Sequence, residues 1–204
     1  MRLGLGFATQ LAHDLGARDA PIAHRGEELV ERVAAATPTE LREQVVPVEV
    51  LQAEARLAQL SLDLPDLPSP TGNYVPFRRQ GNTIYLAGQT CEWNGQMVYS
   101  GKVGLDFDLE TGQKAARICG LNLIAALRLS LGGSLDQVVA CLRLGGFVNA
   151  VPDFPHVPKV INGASDLVAE VFGPEAAPHA RTAIGVATLP GCAAVEVDAI
   201  FAVR

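Results

Sequence analysis

Two charged side chains near the C-terminus, Arg181 and Glu196, are the residues of this sequence most suited to chemistry. A guanidinium makes a bidentate contact with a carboxylate and stays protonated in a partly dry cleft. Between them, Pro190-Gly191 is a turn dipeptide, which predicts that strands Thr182–Leu189 and Ala194–Val203 form an antiparallel hairpin. That hairpin separates the two charges by about five residues, roughly 15 Å at the strand rise. A single site that uses both charges therefore requires a second subunit.

A purely structural interpretation of this pair stays open. Arg181 would then cap the helical region before it, and Glu196 would be a solvated carboxylate on the last strand. In that strand Val195 and Val197 share one face, whereas Glu196 and Asp198 share the other. We therefore expect one face of the strand in the core and the other against something polar.

Other reactive side chains are weaker candidates. His156 and His179 flank the proposed site in sequence, and His179, two residues before Arg181, would share its face, but hydrogen bonding within a loop is favoured over catalysis for His179. No carboxylates cluster with histidines, so no metal site is predicted. Without a CxxC pair the cysteines predict no zinc ribbon or redox motif, and we expect them to be buried small hydrophobic residues. They are Cys91, Cys119, Cys141 and Cys192.

The elements that position these residues follow from hydrophobic periodicity and turn signals. Residues Glu110–Leu131 carry apolar side chains at spacings of three and four, which predicts a long helix that ends at Gly132-Gly133. A second helix should contain Asn162, Ser165 and Asp166, which either cap the helix or line a cleft, with capping favoured. The complete prediction for this part is strands Val75–Arg79 and Thr83–Ala87, a short strand Ser100–Gly104, helix Glu110–Leu131, strand Val138–Val148, helix Lys159–Phe172 and the final two strands.

The chain before Pro65–Pro70 has a different composition, rich in Ala, Leu, Glu and Arg. Residues 1–46 are expected to be a helical N-terminal appendage with helices Glu27–Ala36 and Pro38–Val45, and residues 47–70 a helix, Val48–Leu60, followed by a Pro-rich arm. Residues 71–204 then form an α+β domain. No signal peptide is expected at the N-terminus.

Composition and charge exclude several classes of function. The 204 residues are 49% hydrophobic and 19% charged, with a formal net charge of -6 and only 5% aromatic residues. We do not expect nucleic acid as a partner, because binding it requires clustered Lys and Arg and aromatic stacking platforms. No apolar run approaches the roughly 20 residues that a membrane span needs. A reduced, cytoplasmic protein that acts on small molecules is the simplest interpretation.

Four segments resemble successive signature blocks of the Rid family, the YjgF-type reactive intermediate deaminases. They are GNYVPFRRQGNTIYLAGQ, FVNAVPDF, HARTAIGVATLP and AAVEVDAIFAVR, and they occur in the family's order. The resemblance runs from about residue 50 to residue 204 and suggests a longer branch of the family. It implies a chorismate-mutase-like α+β fold, a mixed sheet backed by two helices in the order ββαβαββ. It also implies a homotrimer with clefts between subunits.

The resemblance further implies hydrolysis of enamines and imines, such as 2-aminoacrylate, to 2-oxo acids and ammonia without a cofactor. Arg181 would hold the substrate carboxylate, and Glu196 would orient or deprotonate the attacking water. Tyr74 would close the pocket or donate a hydrogen bond, and Gly88 would offer an amide donor close to the substrate.

This sequence departs from the family pattern at several binding positions. Ala87 stands where many members have serine, and Ala183 where many have cysteine, so two polar contacts are missing. Pro158 lies near the usual asparagine, with Asn162 one helical turn later as the remaining amide. These departures keep a second hypothesis open, a trimer that binds small molecules or acts like a chaperone without catalysis. Endoribonuclease activity, a third hypothesis, is disfavoured by the net charge and the scarcity of aromatic residues.

Overall fold

The computed structural model describes residues 52–70 and 72–204, which include every element of the predicted α+β domain. The helices predicted within residues 1–46 lie outside the described residues. Three α-helices and seven strands are found in the described ranges. In chain order they are α1 (Ala53–Gln59), β1 (Phe77–Gln80), β2 (Thr83–Thr90), β3 (Glu92–Trp93), β4 (Gln96–Met97), α2 (Leu109–Ser130), β5 (Val138–Asn149), α3 (Val157–Ala176), β6 (Ala180–Val186) and β7 (Val195–Val203).

Five strands form one mixed sheet in the order β1-β2-β7-β5-β6, and β3 and β4 form a separate two-stranded hairpin. Helices α2 and α3 pack against each other and against one face of the sheet, which we call the helix face. The core between these layers is built from the alternate buried residues of β7, such as Val195, Val197 and Phe201. This arrangement confirms the predicted α+β fold with a mixed sheet backed by two helices.

Helix α2 forms where the periodicity predicts it. The Asp108 side chain caps its first turn by accepting a hydrogen bond from the backbone N–H of Thr111 at 2.8 Å. Its inner face is buried, and the chain leaves the helix through Gly132 and Gly133, with φ of 73° and 105°. A left-handed backbone is favoured at glycine because there is no Cβ to clash.

Strands β6 and β7 do not form the predicted antiparallel hairpin, so that prediction is wrong. Strand β6 pairs in parallel with β5, and β7 lies between β2 and β5 and pairs antiparallel with both. Helix α3 connects β5 to β6, and such a helical crossover returns the chain in the same direction. Every residue of β7 is buried or half-buried. The strand therefore gains more burial in the centre of the sheet than it would at an edge.

The chain between β2 and α2 lacks one predicted strand and forms a short hairpin. No strand forms over residues 100–104, where Ser100 and Val103 make only isolated bridges. The Glu92–Trp93 segment pairs with β4 across Asn94-Gly95, and both turn residues have positive φ.

Helix α1 begins at Ala53 and ends at Gln59, within the predicted helix Val48–Leu60, whose residues 48–51 lie outside the described residues, and the following residues 61–70 contain neither helix nor strand. They do not extend into solvent, because Leu62, Leu64 and Leu67 pack against the core. In the described ranges, no helix combines the length and the apolar character needed to cross a membrane.

Candidate functional site

Arg181 lies near the start of β6, one of the two edge strands of the main sheet, opposite Leu144 of β5. Leu144 is fully buried under the helices, so its neighbour Arg181 also projects from the helix face. From there the guanidinium contacts the N-terminal half of α3. Nη1 donates to Asn162 Oδ1 at 2.9 Å and to Ser165 Oγ at 3.0 Å, and Nη2 donates to the carbonyl of Pro158 at 3.1 Å.

These contacts orient the Arg181 guanidinium without neutralising it. A guanidinium carries five N–H donors, and the three hydrogen bonds leave the Nε donor and one Nη2 donor unused among the described residues. None of the ion pairs found in residues 52–70 and 72–204 involves Arg181. An exposed guanidinium held by neutral oxygens, with two donors unused, is suited to binding an external carboxylate.

The contacts of Arg181 also correct two expectations. Asn162 and Ser165 lie inside α3 and bond to Arg181, so the favoured capping role is wrong for both. Arg181 contacts the first half of α3 and none of the carbonyls at its C-terminal end, in contrast to the capping interpretation.

Sequence reasoning missed the link between Arg181 and His179. Ser165 Oγ lies 3.0 Å from His179 Nε2, and His179 Nδ1 lies 2.7 Å from the carbonyl of Ala177. An Nδ1 proton donated to that carbonyl leaves Nε2 as an acceptor for the serine hydroxyl. The hydroxyl oxygen can then accept from Arg181, so the three side chains form a directed chain of hydrogen bonds. In the sequence, the signal for this link was that Ser165 and His179 both precede Arg181 at short spacing. The contact itself forms because α3 crosses back over β6.

Glu196 lies on the central strand β7, opposite Phe147 of β5 and Thr90 of β2. Its neighbours Val195 and Val197 are fully buried on the helix face, so Glu196 projects from the opposite face, which we call the open face. The side chain is half-buried there. Burial, and secondarily the negative charge of Asp198, raise the pKa of Glu196 above its ordinary value.

Gly88 lies directly against the Glu196 carboxylate. The pairing of β2 with β7 shifts register between Leu86 and Gln89, which places Ala87 and Gly88 in a bulge. A Cβ at position 88 would overlap Glu196 Oε1, so a larger residue here would displace the carboxylate from this position. Tyr74 lies two residues before Pro76, whose carbonyl accepts a hydrogen bond from the Ala87 N–H of this bulge at 3.0 Å. The Tyr74 side chain is 54% exposed.

The predicted site residues thus fall into two groups in one chain. The arginine group is Arg181, Asn162 and Ala183 on the helix face at the sheet edge, and the glutamate group is Glu196, Gly88, Ala87 and Tyr74 near the β2 bulge. By register, Arg181 and Glu196 are two strands and three residues apart, about 10 Å in each direction, and on opposite faces. The predicted separation is confirmed, but it arises from sheet order and not from a hairpin.

The cysteines follow the sequence prediction with one exception. All four are free, and Cys91, Cys119 and Cys141 are buried, whereas Cys192 is exposed and contradicts the expected burial. Burial raises the pKa of Cys141 to about 12, as expected for an inert thiol. Within the described ranges, no three His, Cys, Asp or Glu side chains are grouped closely enough to hold a metal ion.

Comparison with known proteins places this geometry in a family. Residues 54–202 match the family described as "YjgF/chorismate mutase-like, putative endoribonuclease". The chain belongs to this family.

Three proteins illustrate how the YjgF family members relate to this chain. Protein TCP17 of Trypanosoma cruzi is 40% identical over 146 residues, 72% of this chain and 91% of its own length. The crystal structure of Atu1372 from Agrobacterium tumefaciens, a protein of unknown function, is 41% identical and has a TM-score of 0.68, covering 74% of this chain and 92% of that one. A 2-iminobutanoate/2-iminopropanoate deaminase of Dermatophagoides farinae is 28% identical over 143 residues, 70% of this chain and 95% of its own.

Proposed function

We propose that this protein hydrolyses reactive enamine and imine intermediates of the 2-aminoacrylate type to 2-oxo acids and ammonia. The observation that carries the proposal is the state of Arg181, exposed, oriented by neutral oxygens and retaining two unused donors. A bidentate contact with a carboxylate uses two N–H donors, and two are unused on Arg181 among the described residues. The deaminase relative shows that imine hydrolysis occurs among proteins related to this chain.

In the proposed reaction the imino acid carboxylate binds Arg181, which places the C=N bond beside the glutamate group. An enamine substrate first takes up a proton at its terminal carbon to give the iminium form. A water then adds to the iminium carbon while Glu196 accepts its proton, which gives a neutral carbinolamine. Glu196 returns this proton to the carbinolamine nitrogen, ammonia leaves, and the hydroxyl group releases its own proton as the C=O bond forms. A carboxylate with a raised pKa is a stronger base, so burial of Glu196 favours this role. Gly88 places its backbone against the same carboxylate, near the reacting atoms.

A homotrimer is part of this proposal, because one chain holds Arg181 and Glu196 on opposite faces of its sheet. A neighbouring subunit on the open face would bring its own arginine group to the glutamate group. Apolar side chains on that face support such a contact. Ile184 is 46% exposed and Tyr85 is 48% exposed, and a sheet face of this kind gains stability when a second surface covers it. We place the enzyme in the cytoplasm, where its four free thiols would stay reduced.

The decisive experiment measures pyruvate release from 2-aminoacrylate, with lactate dehydrogenase as the coupling enzyme. Arg181→Ala should lower kcat/KM at least 100-fold, and Arg181→Lys should recover only part of it because an ammonium lacks the planar fork. Arg117→Ala is the matched control, since Arg117 is a partly exposed arginine on α2 paired with Glu170. Equal rates with and without wild-type protein, across several amino-acid-derived imines, would contradict the proposal.

A second candidate, a trimer that binds 2-oxo acids without turnover, is favoured by one observation. Ala87 and Ala183 offer no side-chain polar atom to a ligand, and the carbonyl of Pro158 already accepts from Arg181. Calorimetry that shows saturable binding of pyruvate to a protein without hydrolytic activity would favour this candidate. The endoribonuclease in the family description is disfavoured by the net charge of -6.

A further inference from the structure

An open cleft of about 560 Å³ lies at the other end of β6 from Arg181. It is bounded by the loop after β5, by Val157 at the start of α3 and by residues 185–187. None of the residues assigned above to the arginine or glutamate group lines it. Gly185, on its wall, is four residues beyond Arg181, about 13 Å along the strand, whereas Val157 on another wall adjoins Pro158, whose carbonyl accepts from the Arg181 guanidinium. The cleft is within the size range of small-ligand sites.

Lys102 supplies a positive charge to this cleft. Its ammonium donates to Asn149 Oδ1 at 2.5 Å and to the carbonyl of Ala187 at 2.7 Å, and the side chain is half-buried. Both acceptors are neutral, and the ion pairs found in residues 52–70 and 72–204 do not include Lys102. An ammonium has three donors, so one remains for a ligand.

Asn149 fixes the position of this ammonium. It is 3% exposed, and its Nδ2 donates to the carbonyl of Gly101 at 3.1 Å, which directs Oδ1 toward Lys102. The position of the charge is therefore set by buried structure and not by a freely rotating surface side chain. A positive charge in a half-buried site with only neutral partners is stabilised by a bound anion.

The remaining walls define the rest of the ligand. Val151, Phe154 and Val157 are half-buried apolar side chains that line the cleft, so the ligand should carry an apolar body beside its negative charge. Asp153 is exposed on the same lining, and its carboxylate should repel a second negative charge. We infer that this cleft binds an organic monocarboxylate with a short apolar chain, its carboxylate contacting Lys102. This site goes beyond the proposed deamination and does not depend on it.

The test uses hexanoate as the probe, with calorimetry on the full-length protein. We expect saturable binding of one hexanoate per chain, weakened at least tenfold by Lys102→Met. Lys114→Met is the matched control because Lys114 is exposed and paired with Glu110 on α2, and it should bind as wild type does. Adipate, with two carboxylates, should bind more weakly than hexanoate, and Asp153→Asn should reduce that difference.

A second measurement on unmodified protein guards against misfolding of the Lys102 variant. The sequence has three lysines, so incorporation of [6-¹³C]lysine gives three Cε resonances. Hexanoate should shift the resonance of Lys102 and leave those of Lys114 and Lys159 in place. Absence of saturable binding, an unmoved Lys102 resonance, or binding abolished by Arg181→Ala but not by Lys102→Met would each overturn the inference. If the wild-type protein binds hexanoate through Lys102 but has no deaminase activity, only the proposed function is overturned.

Discussion

Arg181 and Lys102 show how a positive charge is prepared for a ligand at the scale of single residues. Each is positioned by hydrogen bonds to neutral oxygens from residues distant in sequence, and each retains donors that the described residues do not use. An internal carboxylate would have satisfied either charge and removed its affinity for an external anion. The neutral partners position the charge and leave its electrostatic attraction intact.

Glu196 leads to a prediction about the pH dependence of stability. Its pKa is raised in the folded state, so the folded chain binds more protons than the unfolded chain above about pH 4.3, the ordinary value for glutamate. The stability that protonated Glu196 contributes is fully present below that pH, and it is lost as the pH rises through the folded-state pKa. Glu196→Gln removes this dependence, so its Tm relative to wild type should rise from pH 4 to pH 7.

The control for the Glu196 variant is Glu175→Gln, which changes an exposed glutamate at the end of α3. Both melting series are recorded by circular dichroism in the same buffers. Burial of the Glu196 side chain and the nearby charge of Asp198 raise the pKa of Glu196. Asp198 is itself paired with Arg143, with Oδ1 2.6 Å from Nη1. A Tm difference that stays constant or shrinks toward neutral pH would show that the burial argument is wrong.

At the scale of elements, the contact between α2 and α3 depends on glycine. A Cβ at Gly163 would overlap the backbone carbonyl oxygen of Gln113, which cannot move as a flexible side chain can. This close approach places α3 over β6, where Asn162 and Ser165 reach Arg181. The orientation of Arg181 is therefore a consequence of how tightly two helices pack.

Gly163→Ala should destabilise the protein by about 1–3 kcal/mol, the usual cost of overpacking, even though alanine has the higher helix propensity. Gly112→Ala is the comparison, because the atoms nearest to its Cβ would be side-chain methyl groups of Val160 and Val103, at 3.3 to 3.4 Å. Urea unfolding of both variants measures the free energies. If Gly163→Ala is as stable as wild type, the helices separate more easily than this packing suggests.

At the scale of the whole molecule, the open face of the sheet is the surface on which the proposed trimer depends. Ile184, Phe147 and Glu196 lie in one row across β6, β5 and β7. Ile184 and Phe147 are apolar and lie beside Glu196, the proposed base. We therefore expect the subunit contact that assembles the trimer to complete the catalytic site as well. Assembly and catalysis should therefore be lost together.

Ile184→Glu places a charge on that row and should convert a trimer of 21.5 kDa chains into smaller species with little deaminase activity. Sedimentation velocity measures the mass. Leu105→Glu is the control, since Leu105 is 73% exposed in the loop before α2. A wild-type monomer, or an Ile184→Glu trimer with full activity, would contradict the arrangement.

Local pattern was sufficient for much of this protein. The periodicity of residues 110–131 and the Gly132-Gly133 stop predicted α2 to within one residue at each end, and the order of the five strands of the main sheet and of α2 and α3 was also correct. These features depend on neighbours within a few positions along the chain, so the sequence by itself contains their physical cause.

Tertiary structure alone decided how distant segments meet. The parallel pairing of β6, the approach of Ser165 and His179 to Arg181 and the placement of Lys102 beside Asn149 join residues 14 to 47 positions apart. The Pro190-Gly191 turn predicted a hairpin because a turn signal reports local backbone geometry and not which strand lies alongside. Sheet order follows from burying β7 between two neighbours, a property of the whole core that no short window of sequence contains.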